Sequence, residues 1–354
     1  MFYFTADLHL QHSAWAGRED LAGDALRAFD FIVESAIKEK PEALILGGDI
    51  LDAPVTSSEV VDRLDFGVKR LIGAGIKVLF IQGQHCRAVP PWLLRHETTP
   101  LEAEGWKSKA GLRIFGLDNL PAGALHDYLQ TMQRQDDDIL VLHQLCKGAP
   151  CVNWDFDPAW LADWPNLKLV LLGDLHIPWH EKFPKKGGKF EVIYSGSTAM
   201  QSIDEPPEKS FIKVNDDCSL DFVPIPSRLF RLYTATTAQD LVNIERQLAE
   251  LPKSDRKPLV VLKYSSELSG AGKLCAAHPE VVWMPKPLAP ELPLAGFASA
   301  VVPEKVSLSG CLDGIVKREE KPELHSFLAQ VLAAPDPKTV IDAKINEITP
   351  AGVV

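Results

Sequence analysis

The segment FYFTADLH, residues 2–9, joins a short apolar run to an aspartate and a histidine that follow it closely. The segment ALILGGDILD, residues 43–52, has the same form, because its apolar run leads through two glycines to two aspartates. Neither run alternates with polar residues, which predicts strands covered on both faces. Since sites in layered α/β folds assemble at the carboxyl ends of strands, the two segments predict polar side chains gathered at one sheet edge.

Three further apolar runs, at residues 77–81, 139–142 and 167–172, also end in polar side chains. Together the five strand ends supply these candidate functional residues: Asp7, His9, Asp49, Asp52, Gln84, His85, His143, Asp174 and His176. Helical periodicity fills the gaps between the runs. This alternation predicts an α/β sandwich built on layered sheets.

Composition excludes several classes of protein. The chain has 354 residues, 46% of them hydrophobic, and a formal net charge of −11. No apolar run approaches the roughly 18–20 residues that cross a bilayer, so we expect no membrane contact. An acidic chain would hold nucleic acid only through a local basic patch, metal ions or a partner. The six cysteines form no CxxC pair, which is typical of reduced thiols and predicts a cytoplasmic protein.

The pattern of the chain changes near residue 225. A strand–helix–strand pattern over residues 230–264 follows two prolines and predicts a small second α/β domain. We therefore predict a first domain at residues 1–225, a small domain at residues 226–290 and a tail at residues 291–354. A linker or an extended wrap is expected over the proline-rich stretch with Pro285, Pro287, Pro290 and Pro293, and two helices are expected in the tail.

The candidate residues have the chemistry of metal ligands. A mixture of carboxylate, imidazole and amide groups suits Mn²⁺, Fe²⁺ or Zn²⁺ better than Ca²⁺. About seven ligands are too many for one ion, whereas two ions about 3.5–4 Å apart that share a carboxylate would use them all. Such a pair binds a phosphate oxygen and acidifies a bound water, which indicates chemistry at phosphorus.

The five blocks resemble a known family. In chain order they read Asp-x-His, Gly-Asp-x-x-Asp, Gly-Gln-His-Cys, a lone His and Gly-Asp-x-His, at residues 7–9, 48–52, 83–86, 143 and 173–176. Their order and spacing are similar to the signature of the calcineurin-like metallophosphoesterases. This resemblance implies a four-layer αββα sandwich for the first domain.

Two later segments resemble one branch of that family, the SbcD-type DNA-repair nucleases. They are YSGS at residues 194–197 with Asp-Glu at 204–205, and VPIPSR at residues 223–228. The likeness implies a Mn²⁺-dependent nuclease that hydrolyses DNA with two metal ions, and a capping domain that grips DNA. It also implies a homodimer that works in DNA repair and recombination with an SbcC-type coiled-coil ATPase, which the helical C-terminal tail would contact.

The resemblance further implies a role for each candidate residue. Two divalent ions, Mn²⁺ or else Mg²⁺, would be held by Asp7, His9, Asp49 and His176 and by Asp49, Gln84, His143 and Asp174. Asp49 would bridge the two ions. His85 would protonate the leaving oxygen or steady the transition state. Asp52 would orient a ligand or His85.

Some positions depart from the family pattern. Gln84 stands where the family has Asn and Asp174 where it has His, which makes the site harder and more anionic and favours Mn²⁺ or Mg²⁺ over Zn²⁺. Cys86 replaces the acidic residue that usually follows the catalytic histidine. Two alternatives to the nuclease stay open: a phosphatase or cyclic-nucleotide phosphodiesterase of the same superfamily, and a non-catalytic DNA-end-binding subunit with a degenerate metal site.

Four lysines form a local basic patch, Lys182, Lys185, Lys186 and Lys189, around two glycines. The pattern indicates a hairpin tip. Such a tip is either simply solvated or a loop that contacts phosphates near the last metal block.

Overall fold

Two six-stranded sheets form the body of the protein in a computed structural model that describes residues 1–11, 14–15, 18–131 and 137–288. The chain divides into two compact units, Met1–Pro290 and Glu291–Val354, and all described residues belong to the first. The predicted helical tail therefore lies outside the described residues. Within them, no helix has the length and apolar character needed to cross a membrane.

The elements are numbered in chain order. The strands in the described ranges are β1 (Phe2–Thr5), β2 (Ala43–Gly47), β3 (Lys77–Ile81), β4 (Thr99–Pro100), β5 (Trp106–Lys107), β6 (Arg113–Gly116), β7 (Ile139–His143), β8 (Leu169–Gly173), β9 (Trp179–Lys185), β10 (Gly188–Tyr194), β11 (Lys209–Val214), β12 (Leu220–Ile225), β13 (Phe230–Ala235), β14 (Leu259–Tyr264) and β15 (Val282–Pro287). The α-helices are α1 (Asp24–Glu39), α2 (Ser58–Gly73), α3 (Leu101–Glu104), α4 (Ala122–Thr131), α5 (Ala238–Ala249) and α6 (Ala271–Ala277). Short 3₁₀ helices span Glu19–Leu21, Trp92–Arg95 and Pro158–Leu161.

The central strands of both large sheets run parallel. The first sheet has the order β12-β11-β1-β2-β3-β4, and the second has the order β5-β6-β7-β8-β10-β9. Strands β1, β2 and β3 pair in parallel, as do β6, β7, β8 and β10. Within each sheet, these parallel strands therefore end at the same edge, which is what brings residues far apart in the chain together.

Hydrophobic packing makes four layers. Phe4 and Ile45 of the first sheet share a buried cluster with Val141 and Leu171 of the second, so the two sheets pack face to face. The opposite face of the first sheet packs against α1 and α2, and Tyr3 belongs to that outer cluster. Helix α4 and the 3₁₀ turn at 158–161 cover the outside of the second sheet. The predicted αββα sandwich is confirmed.

A third sheet follows the sandwich. It consists of β13, β14 and β15 in parallel, and α5 and α6 supply side chains to its own buried cluster. The predicted strand–helix–strand pattern over residues 230–264 is confirmed by β13, α5 and β14, and Thr237 and Asp240 form a reciprocal capping box at the start of α5. Pro285 and Pro287 of the proline-rich stretch lie in β15, so that these two residues belong to an extended strand and not to a linker. An edge strand tolerates proline because one row of its backbone amides needs no partner.

The expected boundary at residues 225 and 226 falls between β12 of the first sheet and β13 of the third. The two compact units divide at Pro290 and not at residue 225. The boundary between a first domain and a small domain, which lies inside the first unit, therefore stays a prediction.

The carboxylate of Asp24 connects the sandwich to the region of the third sheet through hydrogen bonds. Asp24, the first residue of α1, accepts hydrogen bonds from Arg228 Nε and Nη2 at 2.7 and 2.8 Å and from Arg256 Nη1 at 2.8 Å. The arginine side chains are only 7% and 12% exposed, and that of Asp24 is 17% exposed. Because one carboxylate neutralises two largely buried guanidinium groups, its loss would leave both without a counter-charge.

We predict that Asp24→Ala lowers the free energy of unfolding by about 3–5 kcal/mol, the cost typical of removing one partner from a buried ionic cluster. Urea denaturation followed by circular dichroism measures this change. Arg27→Ala is the matched control, because Arg27 also reaches across to the third-sheet region, pairing with Asp255 at 2.9 Å, but both side chains are more than half exposed. That control should cost about 1 kcal/mol or less. Equal losses in the two variants would contradict the prediction.

Candidate metal centre

The candidate residues begin where strands stop. Asp7, His9, Asp49 and Asp174 all have positive φ angles, of 51°, 41°, 46° and 92°. Residues other than glycine rarely adopt this left-handed conformation, and each instance costs about 1–3 kcal/mol when the surrounding structure enforces it. The chain therefore turns sharply after β1, β2 and β8. Strain of this kind is concentrated at functional sites.

Glycines make room for these side chains. A Cβ atom at Gly48 would lie 2.6 Å from Cγ of His143, and one at Gly83 would lie 2.6 Å from the backbone nitrogen of Asp49. Gly48 also has a φ of 97°, which alone favours glycine. The glycines in the sequence blocks thus serve the packing of the candidate ligands.

A first group contains Asp7, His9 and His176, with one ligand atom of each within 4.8 Å of the others. The Nε2 atoms of the two histidines lie 3.1 Å apart. Each Nδ1 atom lies against a carboxylate instead, Asp52 Oδ1 at 3.1 Å from His9 and Glu205 Oε1 at 2.8 Å from His176. If each Nδ1–H donates to its carboxylate, the Nε2 lone pairs of His9 and His176 face each other. That arrangement is favourable only with a cation or a proton near the two nitrogens.

A second group contains Asp7, Asp49 and His143, all completely buried or nearly so. Nδ1 of His143 donates to the carbonyl oxygen of Gly47 at 2.8 Å. Its Nε2 atom lies 3.2 Å from Asp49 Oδ2 and 3.8 Å from Asp7 Oδ1, and among the described residues it has no hydrogen-bond partner. Burial lowers the pKa of His143, but the nearby carboxylates outweigh it and raise this pKa to about 9. The same negative potential attracts a metal ion.

Asp7 belongs to both groups, and Asp49 of the second group also faces a histidine of the first. The Oδ1 atom of Asp49 accepts a hydrogen bond from the backbone amide of His85 at 2.9 Å, which fixes the carboxylate. Its Oδ2 atom lies 3.2 Å from Nε2 of His143 and 3.8 Å from Nε2 of His9. Burial raises the pKa of Asp49, yet the contacts with His143 and the His85 amide lower it overall. One oxygen of Asp49 therefore faces imidazoles of both groups.

Gln84 and Asp174 contact each other. The amide Nε2 of Gln84 donates to Asp174 Oδ1 at 2.6 Å, and the Gln84 side chain is exposed. Asp174 belongs to none of the three-residue groups found among the described residues. Burial raises the pKa of the Asp174 carboxyl, and the nearby charge of His143 lowers it only in part. Two of the three positions that depart from the family pattern thus contact each other.

His85 lies at the open side of the cluster. Its side chain is half exposed, and its Nε2 atom is 4.0 Å from Asp49 Oδ2. Together with His9 and Asp52 it forms a third group of possible ligands. The Asp52 carboxylate contacts His9, so that the structure places it behind a candidate ligand and not in hydrogen-bond contact with His85.

Sequence reasoning assigned no role to two residues that hold these histidines. Glu205 contacts Nδ1 of His176, and Asn119 Nδ2 donates to the carbonyl oxygen of His143 at 2.8 Å. Burial raises the pKa of Glu205, but His176 and Lys209 lower it to about 2. Glu205 lies in one of the segments that resemble the SbcD-type nucleases, but the sequence of that segment does not indicate which histidine Glu205 contacts.

The donor set fits divalent metal ions. Three imidazole Nε2 atoms and two buried aspartates converge within a few ångströms, and each histidine is oriented through its other nitrogen. Outer partners of this kind are characteristic of metal-ligating histidines. An αββα sandwich with such a cluster at its strand ends places the protein in the class of metallohydrolases.

Comparison with known proteins identifies the family within that class. The family model of the calcineurin-like phosphoesterases matches residues 1–196, which is more than half of the chain, and the chain belongs to this family.

Similar proteins include two that are named as DNA repair proteins. The chain is 26% identical to the DNA double-strand break repair protein Mre11 of Methanosarcina mazei over 71% of this chain and 43% of that protein. It is 29% identical to the Mre11 protein of Halobacterium salinarum over 61% of this chain and 57% of that protein. The chain thus spans about half the length of these relatives. A solved dimetal phosphatase from Danio rerio matches 60% of this chain and 90% of its own, with 14% identity and a TM-score of 0.39.

We predict that Gly83→Ala weakens Mn²⁺ binding about 10- to 100-fold, the range typical of disturbed ligand support. The added Cβ would collide with the backbone and carboxylate of Asp49, and the carboxylate would have to move. Isothermal titration calorimetry measures the affinity. Gly73→Ala is the control, because a Cβ at that position in α2 meets no atom within 4 Å. Unchanged Mn²⁺ affinity in Gly83→Ala would show that Asp49 does not hold metal.

Proposed function

We propose that this protein is a metal-dependent nuclease that hydrolyses DNA phosphodiesters with two divalent ions in one centre. The observation that carries the proposal is the convergence of His9, His143 and His176 on the carboxylates of Asp7 and Asp49. Membership of the phosphoesterase family supports the hydrolytic chemistry. The relatives named as DNA double-strand break repair proteins support DNA as the substrate.

The proposal assigns the metal ligands as the sequence predicts. One ion would be held by Asp7, His9, Asp49 and His176, and the other by Asp49, His143, Gln84 and Asp174. Mn²⁺ is the proposed ion, with Mg²⁺ as the second choice, because carboxylate and amide oxygens favour hard cations. When bound, the ions would supply Lewis acidity toward a phosphate oxygen and lower the pKa of a coordinated water.

His85 is the proposed general acid. Its imidazole is half exposed and lies beside the buried cluster, so a phosphodiester above Asp49 would place its leaving oxygen within reach. The backbone amide of the same residue fixes Asp49. Removing the imidazole therefore leaves the support of the metal centre in place.

The basic hairpin between β9 and β10 turns at the end of the second sheet opposite the candidate ligands. Lys185 pairs with Gly188 beside this turn, whereas Trp179 pairs with Tyr194 at the end of β8 that leads to Asp174. The expected loop that contacts phosphates near the last metal block is therefore wrong in its location. Lys182 is already paired with Glu191 at 2.9 Å, and Lys185 Nζ donates to the carbonyl oxygen of Pro165 at 2.6 Å. The patch is partly neutralised, and with a chain charge of −11 we expect weak DNA binding by the protein alone.

The remaining proposals concern the assembly. By its resemblance to SbcD-type nucleases, the protein would form a homodimer in the cytoplasm and work with an SbcC-type ATPase. Residues 226–290 would cap the DNA, and residues 291–354 would contact the ATPase.

A second candidate function is a DNA-end-binding subunit with an incomplete metal centre. The Gln84–Asp174 hydrogen bond of 2.6 Å favours it, because the amide occupies a carboxylate oxygen that a second ion needs. The two functions differ in how many ions the protein binds.

We predict that the protein cleaves end-labelled DNA with Mn²⁺, and that His85→Ala lowers the rate about 10²- to 10⁴-fold, as expected for loss of a general acid. The His85 variant should keep its Mn²⁺ affinity, whereas Asp49→Ala should lose both binding and cleavage. Cleavage that survives both substitutions would refute the assigned centre. Hydrolysis of small phosphomonoesters without cleavage of DNA would support the phosphatase alternative.

We predict that the protein binds two Mn²⁺ ions with unequal affinity, and that Asp174→Ala binds only one. The second ion binds more weakly because Asp174 must exchange its hydrogen bond with Gln84 for a metal bond. Calorimetric stoichiometry and the electron paramagnetic resonance signal of coupled Mn²⁺ pairs measure this. Asp127→Ala, at a position whose side chain is 87% exposed, is the control. A wild-type protein that binds one ion at millimolar Mn²⁺ would favour the non-catalytic subunit.

A further inference from the structure

A buried ionic cluster lies behind His176. Oε1 of Glu205 contacts Nδ1 of His176 at 2.8 Å. Oε2 of Glu205 accepts hydrogen bonds from Lys209 Nζ at 2.7 Å, from Ser197 Oγ at 2.9 Å and from the backbone amide of Gln201 at 3.2 Å. Lys209 Nζ also donates to Ser197 Oγ at 2.8 Å. The two oxygens of one carboxylate therefore have separate roles.

This cluster is costly to bury. The side chain of Lys209 is 0% exposed and that of Glu205 is 8% exposed. Desolvation of two such charges offsets most of their attraction, and hydrophobic residues of equal size often stabilise a fold as well. Fold stability alone therefore gives a weak reason for a charged pair at this position.

The geometry gives a stronger reason. Three donors hold Oε2 of Glu205 in place, so Oε1 has a fixed direction toward the imidazole of His176. An anionic acceptor at Nδ1 keeps the proton on that nitrogen, and the Nε2 atom is left to face Nε2 of His9 at 3.1 Å. The carboxylate also increases the electron density that the imidazole can offer to a cation.

The other two histidines have weaker supports. Nδ1 of His9 lies against Asp52, whose side chain is 42% exposed, so that water screens this contact. His143 donates to a neutral backbone carbonyl. Among the three, His176 is held by the most buried charged partner.

We propose that Glu205 and Lys209 are a positioning pair for the metal centre: Glu205 sets the tautomer and direction of His176, and Lys209 fixes Glu205. This inference rests on the proposed function, because it assigns a purpose to His176 as a metal ligand. Neither residue touches the reacting atoms, so the pair acts through metal affinity and not through the chemical step.

The test compares Glu205→Gln, Lys209→Met and the double variant that carries both substitutions. Glu205→Gln removes the anionic acceptor, so Mn²⁺ affinity should fall about 10- to 100-fold, as is typical for outer partners of metal ligands. The double variant should show the same loss of affinity. It should melt at a higher temperature than Lys209→Met, because it buries no uncompensated charge. Calorimetry with Mn²⁺ alone gives the affinity, and circular dichroism gives the melting temperature.

A matched control separates metal support from general destabilisation. Asp24→Asn weakens another buried ionic cluster, in which the hydrogen-bond donors are Arg228 and Arg256 and no candidate ligand takes part. It should lower the melting temperature and leave Mn²⁺ affinity unchanged. The cleavage rate of the double variant should return toward wild type at high Mn²⁺, because the defect is in binding.

These measurements distinguish failure of the positioning pair from failure of the proposed function. If the wild-type protein binds Mn²⁺ and the folded double variant binds it equally well, the positioning pair is wrong while the proposed function stands. If the wild-type protein binds no Mn²⁺, the proposed function itself fails.

Discussion

The carboxylate of Asp49 is the point on which the candidate site depends. One oxygen is held by the backbone amide of His85, and the other faces His143 at 3.2 Å and His9 at 3.8 Å. Both large sheets reach this carboxylate, because Asp49 follows β2 of the first sheet and His143 ends β7 of the second. The face-to-face packing of the sheets is therefore what creates the centre, and a change in their spacing would separate its ligands.

The protein bears a local energetic cost to build this centre. Four candidate residues turn through left-handed backbone conformations, and buried carboxylates lie beside Nε2 of His143, which lacks a hydrogen bond. The apolar core between the sheets holds these strained turns in place. Cations at the centre would relieve the electrostatic part of the cost, so that metal binding and local stability would be linked.

Much of the fold follows from short stretches of sequence. Continuous apolar runs mark β1, β2, β3 and β7, and a reciprocal cap marks the start of α5. Other elements lack such a signal. Strands β11 and β12 have apolar residues interrupted by Lys, Ser, Asp or Pro in no regular pattern, and they were not predicted. Strand β11 joins the first sheet by antiparallel pairing with β1, more than 200 positions away. Pro285 is a further example of a residue whose structure local sequence does not predict, because its place in a strand depends on pairing with β14.

The sequence by itself determined the candidate residues and the sheet edge to which they go, because a strand that ends in Asp or His delivers that residue to the edge whatever else the chain does. Only the tertiary structure decided how those side chains are used. It paired Gln84 with Asp174, directed Asp52 to His9 and placed Glu205 behind His176. Such contacts depend on side-chain direction and burial across distant segments, and local propensity carries no information about either.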